Sequence, residues 1–279
     1  MIFSATTIWD DVQKIRHQAP VIHNITNYVV MNTTANALLS LGASPVMAHA
    51  NQEVEDMVRL AGALVLNPGT LSAPWVEAMH KAAARAAQLG IPVILDPVGA
   101  GATPYRTTTC ADLLRLGHPG ILRGNASEIL ALSTALAAQP TVQEAEATTK
   151  GVDSRHSSGD AVQAAGEISR QYHCAVCVSG ETDYCVQGEE VIEIHNGHAM
   201  MPRVTGLGCT ASALCGAFAA VNPAYLQACA HAMAVMGIAG ELAAEIAAGP
   251  GSLQMHFLDA LYNLSLEDIR ARLRSGGQA

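Results

Sequence analysis

Short apolar runs recur along this chain, each closed by a polar or turn residue, and longer segments with apolar residues at helical spacing separate them. The run 20–27 predicts a strand passing into a polar turn. The next segment predicts a helix through Leu41, with Met31, Ala35, Leu38 and Leu39 on one face and Gly42 as its stop. Further strands are predicted at 43–48, 63–67, 92–96 and 120–125, with helices at 53–60, 72–89, 107–116 and from Ala126 onward. The stretch 139–158 turns polar and charged and is expected to form a surface segment with a short helix. A helix over 159–172 then leads to strands at 175–179, 184–187 and 191–195, whose turn residues and close spacing predict an antiparallel edge. From Gly206 to Arg274 the pattern is almost wholly helical and rich in Ala. Alternating strands and helices with continuous apolar strands predict an α/β fold of three layers, α/β/α, around a mostly parallel sheet. The whole of 1–279 is read as a single domain.

The sharpest feature is Val204-Thr205-Gly206-Leu207-Gly208-Cys209-Thr210-Ala211-Ser212, a glycine-rich turn feeding an apolar helix. The first amide hydrogens of a helix have no partner within it, and its aligned peptide dipoles leave that end positive, so the turn suits an anion and above all a phosphate. Cys209 lies where turn meets helix, where a thiol is expected to have a lowered pKa. The same residues fit a loose dinucleotide pattern. That motif belongs in a first βαβ unit with an acidic residue about twenty positions on, and position 222 is Asn. The bland alternative is a tight turn before a core helix.

Composition narrows the field. The chain has 279 residues, 50% of them apolar and 14% charged, enough for a large core. A formal charge of -9 argues against a nucleic-acid partner. No apolar run of membrane-span length is expected, and the opening Met-Ile-Phe-Ser-Ala-Thr-Thr lacks the basic and apolar regions of a secretory leader. Seven irregularly spaced cysteines suit free thiols in a reducing cytoplasm. Cys174 and Cys177 form a C-x-x-C, but on a strand their odd offset puts them on opposite faces. The P-loop, G-x-S-x-G and H-E-x-x-H patterns are absent.

Asn67, Asp96, Asn125 and Ser179 each close an apolar strand. Ligands of open α/β sheets bind at that carboxyl edge. Asp96 and Glu128 can hold a hydrated Mg²⁺; alternatively Asp96 caps a loop and Glu128 answers a helix dipole. Arg123 can clamp a phosphate or snorkel past the sheet edge. Ser179 can donate to a nucleotide phosphate or form a turn. Asn24, within His23-Asn24-Ile25-Thr26-Asn27, can read a small substrate, while His23 is as readily a core histidine. Met47 can pack on a flat ring or fill the core.

Taken together these residues resemble the hydroxyethylthiazole kinases, thiamine-salvage members of the ribokinase-like superfamily. The resemblance runs over nearly the whole chain through His23-Asn24-Ile25-Thr26-Asn27-Tyr28-Val29-Val30, Gly42-Ala43-Ser44-Pro45-Val46-Met47-Ala48, Asn67-Pro68-Gly69-Thr70-Leu71, Leu95-Asp96-Pro97-Val98-Gly99-Ala100, Arg123-Gly124-Asn125-Ala126-Ser127-Glu128, Thr205-Gly206-Leu207-Gly208-Cys209 and Gly249-Pro250-Gly251-Ser252. It implies a ribokinase-like fold and transfer of the γ-phosphoryl of ATP to the primary alcohol of 4-methyl-5-(2-hydroxyethyl)thiazole, with Mg²⁺. It implies a cytoplasmic homotrimer that binds thiazole between subunits. Met47 and Gly206 would contact thiazole, Arg123 and Ser179 the nucleotide, and Cys209 the reacting hydroxyl. The family often has Thr at the position of Ser179 and commonly Ala at that of Leu207. Related sugar kinases carry Asp where this chain has Cys209. Competing readings are a thiol hydrolase built on Cys209 and a histidine, a nucleotide-dependent repair lyase on the same fold, and a non-catalytic binder.

Overall fold

A computed structural model describes residues 3–137 and 158–276. In chain order the elements are α1 (Ala5–Gln18), β1 (Val21–Ile25), α2 (Met31–Leu41), β2 (Ser44–Val46), α3 (Val54–Leu60), β3 (Ala63–Leu66), α4 (Ala73–Leu89), β4 (Val93–Leu95), α5 (Pro104–Gly117), β5 (Ile121–Asn125) and α6 (Ala126–Ala137). They continue with α7 (Ser158–Tyr172), β6 (Ala175–Ser179), β7 (Asp183–Gln187), β8 (Glu190–Ile194), α8 (Leu207–Ala219), α9 (Tyr225–Ile246), α10 (Pro250–Asn263), α11 (Leu266–Arg272) and β9 (Ser275–Gly276). The surface segment expected at 139–158 lies outside the described residues apart from Ser158, which opens α7.

The strands form one sheet in the order β2-β1-β3-β4-β5-β6-β7-β8-β9. Pairing is parallel from β2 to β6 and antiparallel from β6 to β9, as the sequence pattern predicts. Two cores cover the two faces. One joins the sheet to residues of α1, α2, α8, α9 and α10, the other to residues of α3 through α7. The parallel strands are therefore apolar on both sides, which is why they read as continuous runs and not as alternation.

The strand order explains where a site forms. From β1 the chain moves outward to β2 through α2, then returns past β1 to β3 through α3, on the other face. The loops after β1 and β3 thus leave in opposite directions and open a crevice between them, the switch point where doubly wound sheets place ligands. Helix α8 lies over that crevice. Its Gly216 permits the close approach, since a Cβ there would stand 2.8 Å from Val65 Cγ2 and 3.1 Å from Ile22 Cγ2. Phe218 of the same helix is fully buried, so Phe218→Ala would cost about 3–5 kcal/mol.

Three features depart from the sequence pattern. Strands β2 and β4 span three residues each, so Met47 and Asp96 fall in the loops that follow. Strand β9 is a two-residue pairing against β8, formed where the chain returns to the edge; no local pattern of two residues can announce it. Helix α9, with 22 residues, is long and apolar enough by composition to cross a membrane, against the expectation from the sequence. Its most apolar window is 72% buried within the fold, and apolarity around most of its circumference reflects that position between neighbours.

Candidate active site

Four loops and one helix end converge at the switch point. After β1, Asn27 donates from Nδ2 to Asn67 Oδ1 at 3.0 Å and to Cys209 Sγ at 3.5 Å. Asn67, after β3, donates to Asp96 Oδ2 at 2.9 Å, and Ser212 Oγ of α8 donates to the same oxygen at 2.8 Å. A continuous polar chain thus runs Cys209–Asn27–Asn67–Asp96–Ser212 under the first turn of α8. The Asn67 side chain also accepts from Gly69 N at 3.0 Å, and Tyr28 N donates to Thr70 Oγ1 at 3.1 Å, stitching the two loops together.

Gly206 is the N-cap of α8 with φ +86°, a conformation costly for any residue with a Cβ; a Cβ there would also stand 2.7 Å from Val30 Cγ1. The turn therefore needs glycine, and it aims the amides of Leu207, Gly208 and Cys209 out of the helix, where no intrahelical acceptor exists for them. Arg123 closes one side of this mouth. Its Nη1 lies 3.0 Å from where a Gly208 Cβ would stand, and its Nη2 donates to Ser179 Oγ at 2.7 Å. Ser179 Oγ in turn donates to Gly124 O at 3.2 Å. The pairing Asn125↔Ser179 between β5 and β6 brings these distant stretches together.

The electrostatics correct one expectation. Burial, reinforced by the Asp96 carboxylate, pushes the Cys209 thiol up to about 11, although hydrogen bonds from Asn67 and Asn27 and the charge of Arg123 pull the other way. The lowered thiol pKa expected at a helix mouth assumes an exposed thiol with no anion nearby. Here desolvation and a carboxylate outweigh the dipole. Asp96 is 1% exposed. Burial raises its carboxyl to about 7, with Arg123 opposing and Glu128 adding to the rise. Its Oδ1 is buried with no hydrogen-bond partner in the described structure. For Arg123, burial disfavours the charge, but Asp96 together with Cys177, Asp183 and Cys215 outweighs it, and the guanidinium is held above its ordinary value.

The remaining sequence candidates fall in different places. Glu128 sits at the third position of α6 and accepts from Asn125 N at 2.9 Å and Gly99 N at 3.0 Å. Asn125 Oδ1 accepts from Glu128 N at 2.9 Å, which completes a reciprocal cap. The carboxylate thereby also fixes the loop after Asp96. Met47 is half-buried after β2, and its carbonyl lies 3.2 Å from His49 Nδ1. Asn24 is fully buried on the face of β1 that α8 covers; it donates from Nδ2 to Ile22 O at 2.9 Å, and its Oδ1 has no hydrogen-bond partner in the described structure. His23 is likewise a core histidine, with Nε2 2.7 Å from Ala48 O. The hydrogen-bond partner of Cys209 is Asn27 and not a histidine, so a thiol hydrolase lacks its base among the described residues.

Three contributors escape the sequence reading. Ser212 sits one helical turn after Cys209 on the same face, and a serine inside an otherwise apolar helix is its only local signal. Asn27 is hidden among the polar residues of its motif. Arg106 donates from Nη1 to Pro68 O at 3.0 Å and from Nη2 to Gly69 O at 2.8 Å, clamping the loop after β3. An arginine in the first turn of a helix opposes the dipole, and that cost is the hint that its side chain is needed elsewhere.

The hydroxyethylthiazole kinase family profile matches residues 12–267. The chain is 62% identical over 266 residues to a hydroxyethylthiazole kinase of Syntrophus aciditrophicus, covering 95% of each. It is similar to the solved hydroxyethylthiazole kinase of Pyrococcus horikoshii, with 40% identity and a TM-score of 0.88 over 98% of this chain and all of that one. A ribokinase-like superfamily protein of Enterococcus faecalis shares the fold at 14% identity, with a TM-score of 0.61 over 86% of each chain.

Proposed function

The chain belongs to the hydroxyethylthiazole kinase family, and from that premise we propose how its site transfers a phosphoryl group. The protein is an ATP-dependent phosphotransferase acting in thiamine salvage. The acceptor is the primary alcohol of 4-methyl-5-(2-hydroxyethyl)thiazole. The γ-phosphoryl crosses at the mouth of α8, where the amides of Leu207, Gly208 and Cys209 offset its charge. Arg123 and Ser179 hold the nucleotide, and Met47 and Gly206 contact the thiazole. Asn27 stands beside the alcohol, because its amide already reaches Cys209, and Asn24 lies on the strand below with a free Oδ1.

Phosphoryl transfer passes through a loose transition state, so positioning and charge stabilisation carry most of the catalysis. With its pKa near 11, Cys209 is a neutral thiol at physiological pH. Its role is to orient the hydroxyl, whose proton passes late in the transfer to an oxygen of the transferring phosphoryl group. Mg²⁺ would be held at Asp96, whose buried Oδ1 has no partner, with the Glu128 carboxylate contributing negative charge nearby. Bound there, the ion supplies charge neutralisation to the phosphates. The observation that carries this reading is the polar chain from Cys209 to Asp96 directly beneath the helix mouth. Purified protein with ATP, Mg²⁺ and the thiazole alcohol should yield the phosphorylated alcohol by mass spectrometry; ATP hydrolysis without that product would overturn it.

We also place the enzyme in the cytoplasm as one kinase domain that forms a homotrimer with thiazole between subunits. Tyr28 and Val29, next to Asn27, are 63% and 62% exposed, an apolar surface at the crevice that a neighbour would cover. Light scattering during size exclusion should give three chains, and a monomer with full turnover would refute the shared site.

A further inference from the structure

Away from the crevice, three thiols meet inside the core. Cys177 of β6 and Cys185 of β7 are register partners across the antiparallel pair, and α9 lays Cys229 over them. All three are completely buried, their sulfurs lie within 4.8 Å of one another, and Cys185 and Cys229 are 3.6 Å apart. None is in a disulfide. From this geometry we propose that Cys177, Cys185 and Cys229 form a site for one soft cation, Cu⁺, held by sulfur alone.

The spacing suits such an ion. Ligand sulfurs about 2.3 Å from a metal in trigonal array stand roughly 4 Å apart, inside the observed range. Thiolates select Cu⁺, Zn²⁺ and iron–sulfur centres. Cys215 of α8 touches Cys229 but stands outside the trio whose sulfurs all lie within 4.8 Å of one another, so the described residues offer a three-sulfur set that Cu⁺ accepts and not the complete four-ligand shell of tetrahedral Zn²⁺. Each ligating thiol releases its proton to solvent as the ion binds. Arg123, paired in register with Cys177 on the next strand, supplies a positive charge that offsets the resulting anions.

The test uses the full chain, isolated anaerobically from copper-supplemented cells and, separately, titrated with Cu⁺ held by a competing chelator. The proposal expects one equivalent of copper, a shell of three sulfurs in X-ray absorption, and a raised Tm. Cys185→Ala and Cys229→Ala should each abolish stoichiometric uptake, while Cys110→Ala retains it. Circular dichroism identifies any variant that fails to fold, and Cys177→Ala then carries the same comparison. Less than stoichiometric copper in both preparations, uptake unchanged in the Cys185→Ala and Cys229→Ala proteins, nitrogen or oxygen in the shell, or tight Zn²⁺ binding without Cu⁺ would each overturn it.

Discussion

Asp11 and Asp96 are buried to the same degree, 2% and 1% exposed, and respond to it in opposite ways. Asp11, on α1, is saturated. Its Oδ1 accepts from Lys14 at 2.8 Å, and its Oδ2 accepts from Asn222 at 2.6 Å and lies 2.8 Å from His231 Nδ1. Burial works against its charge, but those bonds outweigh burial, and the carboxyl sits below its usual range. Asp96 receives both of its donors on Oδ2 and none on Oδ1, and it rises to about 7. The first is a tie between α1 and α9. The second carries an anion whose needs the fold leaves half met, as a site for a cation requires. Local satisfaction, together with the greater depth of Asp96 below the surface, separates structure from chemistry here.

The sharpest way to break that contrast is to neutralise each carboxyl in turn. Asp96→Asn should lower kcat/KM by about 10³-fold, a loss of the size expected when a charge that positions the transferring group is removed, while Tm holds or rises. A fall in Tm with activity intact would invert the assignment. At the other end of the polar chain, Cys209→Ala should lower kcat by about 10²-fold and Cys209→Asp should stay active, both read by steady-state kinetics. Turnover of Cys209→Ala equal to the parent would remove the thiol from the mechanism. Asp11→Asn should cost about 2–3 kcal/mol in urea unfolding, because it strips a charge from a bonded buried group, and should leave kcat unchanged.

The two residues also predict opposite slopes with pH. For Asp96 the folded pKa lies above the unfolded value, so its contribution to stability is fully present below about 4 and is lost as pH rises through about 7. For Asp11 the folded pKa lies below it, so that contribution is present above about 4 and is lost as pH falls through the folded value. Denaturant titrations of the two Asn variants should each erase one slope. Asp96 should ionise near 7 in the metal-free protein, and Mg²⁺ should move the acid limb of activity below that value. That limb should survive in Cys209→Asp. The smallest effect expected is for Ser179→Ala, which removes one neutral hydroxyl. It should raise KM for ATP by roughly 3- to 10-fold with kcat retained.

Much of this was legible beforehand. Apolar runs closed by Asn67, Asp96, Asn125 and Ser179 marked the carboxyl edge of a parallel sheet, and Gly206-Leu207-Gly208-Cys209 marked a helix mouth. What misled was distance-blind reasoning about each residue's surroundings. Cys209 read as an activated thiol because nothing local reveals how far packing buries it, or that Asp96, more than a hundred residues earlier, sits close enough to add to the suppression of its ionisation. Asn24 and Asn27 looked equivalent in one polar motif. Three positions along a strand and its turn leave Asn24 fully buried with one unpartnered oxygen and bring the Asn27 amide to the sulfur of Cys209.

By itself the sequence determined periodicities, turns and the chemical inventory, because these depend on residues within a few positions of one another. It was enough to specify the sheet, the glycine that Gly206 must be, and the kinase family. Only the tertiary structure decided which polar groups end up satisfied. Asp11 finds Asn222 and His231 across α9, Asp96 is left with a bare oxygen, and three thiols from β6, β7 and α9 share one pocket of core. Those outcomes depend on how helices and strands far apart in the chain pack, and a buried charge or thiol takes its energy from the neighbours that packing supplies.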